Sequence, residues 1–140
     1  IDIDVIWPDN ASGYSPNNSS IAAVFTSPDF RLFASGDIEP PVQAQLLSHI
    51  GHVDIYKVAH HGSRYQDLNL MRELSPTLSI ISVGKGNSYG HPALTTISAL
   101  TRIGSKVLRT DIDGAVAIRA QRHRLSFQRS KRWSRIFFWN

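Results

Sequence analysis

The sequence has no cysteine among its 140 residues. A disulfide framework and a thiolate zinc site are both excluded, and any metal must be held by histidine and carboxylate. No stretch approaches the roughly 18 apolar residues that a transmembrane helix needs. No segment has the zones of a signal peptide. The chain opens on Ile1, inside the strand-like IDIDVIW, so it reads as a piece of a longer protein, and missing targeting signals say little. Neither G-x-x-x-x-G-K-[ST] nor G-x-G-x-x-G occurs, so phosphate-cradling loops have no support. Acidic residues stop at Asp113.

What remains is a globular composition, 41% hydrophobic and 19% charged, long enough for one domain with a real core. The net charge of +4 is unevenly spread. Arg119, Arg122, Arg124, Arg129, Lys131, Arg132 and Arg135 follow the last acidic residues. Such a basic segment suits nucleic acid, anionic lipid or plain solvation.

Along the chain, IDIDVIW alternates with period two and stops at Pro8, as a strand does. DNASGYSPNNSS is a loop. IAAVFTS and FRLFASG read as a hairpin. DIEPP opens a helix that ends at Gly51, with Asp37 placed to cap it. VDIYKV is a strand, NLMRELS a short helix, TLSIISVG a buried strand and HPALTTISALTRIG a helix. KVLRT, AVAIRAQ and RLSFQ complete the strands, with DIDG as a turn. Hairpins at both ends flank a β–α–β–α–β core, which predicts an α/β layered domain with a mixed sheet.

Five stretches carry polar chemistry. In SGDI, Asp37 is either a helix cap or a ligand whose two oxygens can bridge cations. In AHHGS, tandem imidazoles at a strand end suit either a metal or a polar turn. In GNSYGHP, His91 precedes a helix and can contact an anionic oxygen or pass a proton. RTDIDG offers Asp111 and Asp113 but reads better as a hairpin turn. PNNSS either lines a site or builds an Asx turn, the turn being favoured. A triad of Ser63, His61 and Asp37 lacks a nucleophile elbow and is set aside.

Taken in order, NNSSIAAVF, LFASGDIE, DIYKVAHHGS, IISVGKGNSYGHP and VLRTDIDGAV resemble the C-terminal half of the metallo-β-lactamase-like domain of ComEC-type competence proteins, over residues 3 to 120. Those proteins are bacterial membrane channels for DNA uptake. The resemblance implies a metallo-β-lactamase-like αββα sandwich, of which this chain holds the C-terminal half (residues 1–120), followed by a basic tail (121–140). It implies a site for two divalent cations, zinc or manganese, with Asp37 bridging them. His61 is the expected ligand and His60 the residue facing the substrate, though the order can be reversed. His91 is expected beside the site as a catalytic or substrate-contacting residue. Asn18, Ser19 and Ser63 are expected near the substrate. Arg122, Arg124, Arg129, Lys131 and Arg132 are expected to touch DNA or lipid.

The HxHxDH-like ligand cluster of that superfamily is absent from this sequence. One Asp and one or two His cannot hold two cations against water, so the chain alone should bind metal poorly and be inactive. Its inner sheet face should be exposed. In the complete domain, metal-activated hydroxide would attack a phosphodiester of the DNA strand that is not transported. The implied partners are DNA, the channel portion of the same inner-membrane protein and an anionic membrane surface. The domain would face the periplasm or the outside. A small-molecule phosphodiesterase or esterase and a non-catalytic DNA-binding module are the other readings.

Overall fold

The computed structural model describes residues 1–9 and 13–130, together with the backbone of Phe138–Trp139. Six strands form one mixed sheet in the order β1 (Asp2–Trp7), β2 (Ala22–Thr26), β3 (Arg31–Ala34), β4 (Ile55–Lys57), β5 (Leu78–Ile81) and β6 (Lys106–Arg109). The first two pairings are antiparallel, as the hairpin sequence predicts. The last three are parallel, because α1 (Pro40–Gln45), α2 (Leu68–Leu74) and α3 (Leu94–Arg102) return the chain between strands. The mixed α/β class is therefore as expected.

Cross-strand register sorts the side chains into two faces. Phe33 and Tyr56 stand opposite each other and stack with ring centroids 5.7 Å apart. With Val24 and Ile81 they face the helices, whose Val42, Leu70, Met71, Leu74 and Leu100 are buried against them. Leu32, Ile55, Leu78 and Leu108 line the opposite face. That face is covered by a second sheet, the hairpin of β7 (Val116–Gln121) and β8 (Arg124–Arg129), through Leu125 and Phe127. Phe138–Trp139 forms β9 on the outer side of β8. The layers are thus helices, six-stranded sheet and small sheet.

The hairpin reaches only part of the face. Ile3 and Val5 of the edge strand β1 lie in register with Phe25 and Ala23, yet remain 61% and 58% exposed. The expected bare inner face is confined to this end of the sheet.

Three local expectations are corrected. Glu39, not Asp37, occupies the N-cap of α1, which frees the Asp37 carboxylate from capping. That helix stops at Gln45 rather than running to Gly51. Ser48 adopts a left-handed conformation and its amide donates to Glu73 Oε1 at 2.7 Å, which ends the helical ladder. The DIDG stretch is a single helical turn, α4 (Thr110–Asp113), rather than a hairpin turn. Its carboxylates are occupied. Asp111 takes a forked pair of bonds from Arg109 at 2.6 and 3.1 Å, and Asp113 holds Arg129 at 2.8 Å.

Candidate functional site

The parallel strands β3, β4 and β5 all end at one edge of the sheet, where α/β proteins bind ligands. Ser35-Gly36-Asp37 follows β3, Val58-Ala59-His60-His61 follows β4, and Ser82-Val83 follows β5. Asp37, His60, His61 and His91, which sequence reading singles out, come together here.

The GD turn is held from the N-terminal loop. Ser20 Oγ accepts from the Asp37 amide at 3.1 Å. Gly36 has φ +54, and a Cβ there would stand 2.6 Å from the Ser20 Cβ, so only glycine fits. Its carbonyl accepts from the His60 amide at 3.1 Å, joining the GD turn to the histidine turn.

The histidine turn is a left-handed bend. His60 and His61 have φ of 47° and 52°, and Gly62 follows at +76°. Left-handed geometry costs roughly 1–2 kcal/mol for each residue with a side chain. Such strain persists where surrounding bonds over-determine it. Here the Ala59 amide donates to the Tyr56 hydroxyl, Ser63 N to His60 O, and Ala93 N to Gly62 O. Tyr56 is fully buried, and burial pushes its phenol up to about 12, so the hydroxyl stays protonated as a neutral anchor. Gln66 closes the back of the turn, its amide nitrogen donating to Ala59 O at 3.0 Å and Ser63 O at 3.2 Å.

His61 Nδ1 lies 2.7 Å from the carbonyl oxygen of Ser82. A carbonyl can only accept, so Nδ1 carries the hydrogen and neutral His61 has its lone pair on Nε2. That nitrogen stands 3.6 Å from Asp37 Oδ1, with both side chains partly exposed. Two acceptors facing each other at this distance repel unless a proton or a cation lies between them. The spacing is too long for a hydrogen bond. Two ligand atoms on a tetrahedral zinc, at bonds of about 2.0–2.1 Å, stand about 3.3 Å apart, so the pair fits a shared cation. A backbone carbonyl on the other ring nitrogen is the usual support of a metal-binding histidine. Among the described residues no group of three His, Asp or Glu side chains could hold a metal. Asp37 and His61 thus offer two donors, fewer than the three protein ligands that a catalytic zinc site keeps.

His91 is clamped through its backbone by Asn87, whose amide oxygen accepts from His91 N at 3.1 Å and whose amide nitrogen donates to His91 O at 2.7 Å. This accounts for the N-x-Y-G-H spacing. Its ring is 5.5 Å from that of His60 and stacks on exposed Tyr89 at 6.1 Å. Burial, together with His60, His61 and Arg64, lowers its pKa below the ordinary histidine value, against an opposing pull from Asp37. At pH 7 it is mainly neutral and suited to accept a proton rather than to pair with an anion.

Other expected residues sit differently. Asn18 Oδ1 accepts from the Glu39 amide at 2.8 Å, and its carbonyl accepts from Trp7 Nε1 at 2.7 Å. Ser19 Oγ donates to Ser15 O at 3.0 Å. Both brace the loop beside the site. Ser63 is fully buried, its Oγ accepting from Tyr65 N. Arg122 and Arg124 are exposed at the tip of the β7–β8 hairpin. With Arg119, Gln121 and Ser126 they line a cavity of about 510 Å³ that is separate from the histidine cluster. Arg129 is committed to Asp113 and lies over the Phe127 ring. Lys131 and Arg132 lie outside the described residues.

Sequence reading missed Glu39, Asn17, Ser20 and Lys57. Burial lowers the Lys57 pKa, opposed by Asp37, which places a half-buried amine near that carboxylate. Only the asparagine-serine run hinted at this bracing. The long-range pairings themselves have no local signature.

The fold and site define a mixed α/β protein with a His/Asp cluster at the carboxyl edge of its parallel strands. No protein-family model matches the chain. It is 31% identical to ComE operon protein 3 of Bacillus subtilis over 118 residues, 82% of the chain. It is 25% identical to Recombination protein 2 of Haemophilus influenzae over 128 residues, 91% of the chain. It is 24% identical to Competence protein ComA of Neisseria gonorrhoeae across 99% of the chain. Its homologues are thus competence proteins of the ComEC type, as the motif order implies. The chain spans only 15%, 16% and 20% of these relatives' own lengths. Among the described residues no helix is long and apolar enough to cross a membrane.

Proposed function

We propose that this chain is the C-terminal half of a metallo-β-lactamase-like hydrolase domain in a ComEC-type DNA-uptake protein, acting on the DNA strand that is not transported. The observation that carries the reading is the Asp37–His61 pair, two acceptors 3.6 Å apart with the imidazole locked by Ser82. The helix–sheet–sheet layering supports it, since an αββα sandwich would contain three such layers. In this reading residues 1–120 form the partial domain and 121–140 the basic segment. The rest of the ligand shell comes from elsewhere in the longer protein.

Divalent cations bound at Asp37 and His61, two in the complete domain, would make a water acidic enough to lose a proton near neutral pH and supply hydroxide as the nucleophile for a phosphodiester. Asp37 and His61 would hold such cations from the ends of β3 and β4. His91, mainly neutral, accepts a proton at the same edge, and His60 faces the substrate side. Arg122 and Arg124 give a salt-dependent contact to the phosphate backbone of DNA, or to an anionic membrane surface. The remaining portion of the same protein is the channel partner, which places the domain at the bacterial inner membrane, facing the periplasm or the outside.

The test uses the protein with its upstream region restored. Manganese-dependent cleavage of single-stranded DNA is compared between wild type and Asp37→Ala. Cleavage that the substitution abolishes is expected. Intact DNA in both, with hydrolysis of small phosphodiesters that DNA does not inhibit, would replace the nuclease by a small-ester hydrolase. Salt-dependent DNA binding with no turnover would leave a binding module.

A further inference from the structure

His60 poses a problem that the hydrolase reading leaves open. Its Nδ1 is buried and has no hydrogen-bond partner. The side chain as a whole is 21% exposed, so the accessible part of the ring is the edge away from Nδ1. Glu39 Oε1 lies 3.6 Å from that nitrogen. This is about 0.5 Å beyond a hydrogen bond, a gap of the kind that closes when a catalytic site is occupied.

Glu39 is well placed and held. It stands at the N-cap of α1, yet its side chain makes no capping bond, so the carboxylate is free of that duty. The Asn17 amide donates to Oε1 at 3.1 Å. The neighbouring Asn18 side chain accepts from the Glu39 backbone amide at 2.8 Å. The NNSS loop thus holds the Glu39 carboxylate through Asn17 and its backbone through Asn18, with carboxylate lone pairs left for one more donor.

Neither tautomer of neutral His60 makes a hydrogen bond at 3.6 Å, but only one can form it as the gap closes. A bare Nδ1 would turn a lone pair toward a carboxylate inside the protein, with no donor for either. A hydrogen on Nδ1 gives Glu39 a charge-assisted donor and relieves the buried nitrogen. The same logic operates at His61, where Ser82 O takes the Nδ1 hydrogen.

We propose that Asn17 and Glu39 act as positioning residues that hold His60 in the Nδ1–H form, so that Nε2 is its accepting nitrogen on the accessible edge of the ring. Resting on the hydrolytic reading of the site, this assigns His60 a proton- or cation-accepting role and excludes donation from neutral His60 to a phosphate oxygen. Both histidines of the HHG turn then present accepting Nε2 atoms, each backed by an oxygen on Nδ1.

The experiment needs no catalysis. The chain is labelled with nitrogen-15 histidine, and long-range proton–nitrogen correlations report each tautomer at about pH 8.5, where neutral imidazole dominates. Wild type should show His60 as Nδ1–H. Glu39→Ala should switch it to the Nε2–H pattern, and Asn17→Ala should shift it partway. Glu39→Gln, whose oxygen still faces the Asn17 amide, should retain Nδ1–H. His61 serves as the internal control for folding and should stay Nδ1–H throughout. If Glu39→Ala also disturbs His61, the Asn17→Ala and Glu39→Gln spectra decide. Nε2–H in wild-type His60, or an Nδ1–H pattern indifferent to Glu39→Ala and Asn17→Ala, overturns the proposal. Absence of DNA cleavage in the longer protein would sink the nuclease reading while leaving the tautomer result standing.

Discussion

Replacing Gly62 by alanine should be among the costliest methyl additions in this protein. Gly62 sits at φ +76, and an added Cβ would lie 2.7 Å from the Pro92 Cβ and 3.2 and 3.3 Å from two carbons of Ile81. Pro92 is a ring and cannot swing aside, so the histidine turn or the His91–Pro92 segment must move. The left-handed backbone costs about 1–2 kcal/mol for alanine. Overpacking adds about 1–3 kcal/mol. A stiffer unfolded chain returns less than about 1 kcal/mol. The net loss is about 1–5 kcal/mol, centred near 3, a large share of a typical domain's roughly 5–15 kcal/mol. Gly90 is the control, with φ +73 and nothing within 4 Å of its Cβ, so Gly90→Ala carries the backbone cost alone. Urea unfolding should lower the Gly62→Ala midpoint by about 1–2 M, given slopes of about 1–3 kcal/mol/M. Equal midpoints for the two variants would refute the packing argument, since both share the backbone strain.

Two further outcomes follow. The Asp111 pKa is lowered chiefly by its hydrogen bonds from Arg109. Its contribution is therefore complete above the ordinary aspartate pKa of about 3.9 and is lost as pH falls through the lower folded value. Asp111→Asn should be less stable than wild type at pH 7, and the gap in urea midpoint should close in acid; a gap that widens in acid would contradict the sign. Ile3 is 61% exposed in this chain. Ile3→Thr should lower stability here by less than about 0.5 kcal/mol, but cost more in the longer protein, where the sheet face is expected to be covered; equal costs in the two would argue against that covering layer.

The strands were legible because alternation and β-branched runs persist over their whole length, from IDIDVIW to RLSFQ. The site was legible where chemistry is local: Asp37 after a buried strand, His60 and His61 before a glycine, His91 after one. Helix α1 ended early because Glu73, 25 residues away, captures the Ser48 amide. The DIDG stretch coiled into a helical turn because Arg109 and Arg129 bind its carboxylates, one of them from 16 residues away. Asn17, Glu39 and His60 meet across 43 residues, a contact that no spacing rule can express.

In the proposed reading, Asp37 and His61 supply part of a metal-binding shell that the longer protein completes. The most direct test counts metal. The chain and the longer protein with its upstream region are equilibrated with manganese or zinc, dialysed and analysed for bound metal. The account predicts little retained metal on this chain, about two ions on the longer protein, and a loss in the longer protein when Asp37 becomes alanine. Two tightly held ions on this chain alone, or a count on the longer protein indifferent to Asp37→Ala, would contradict it.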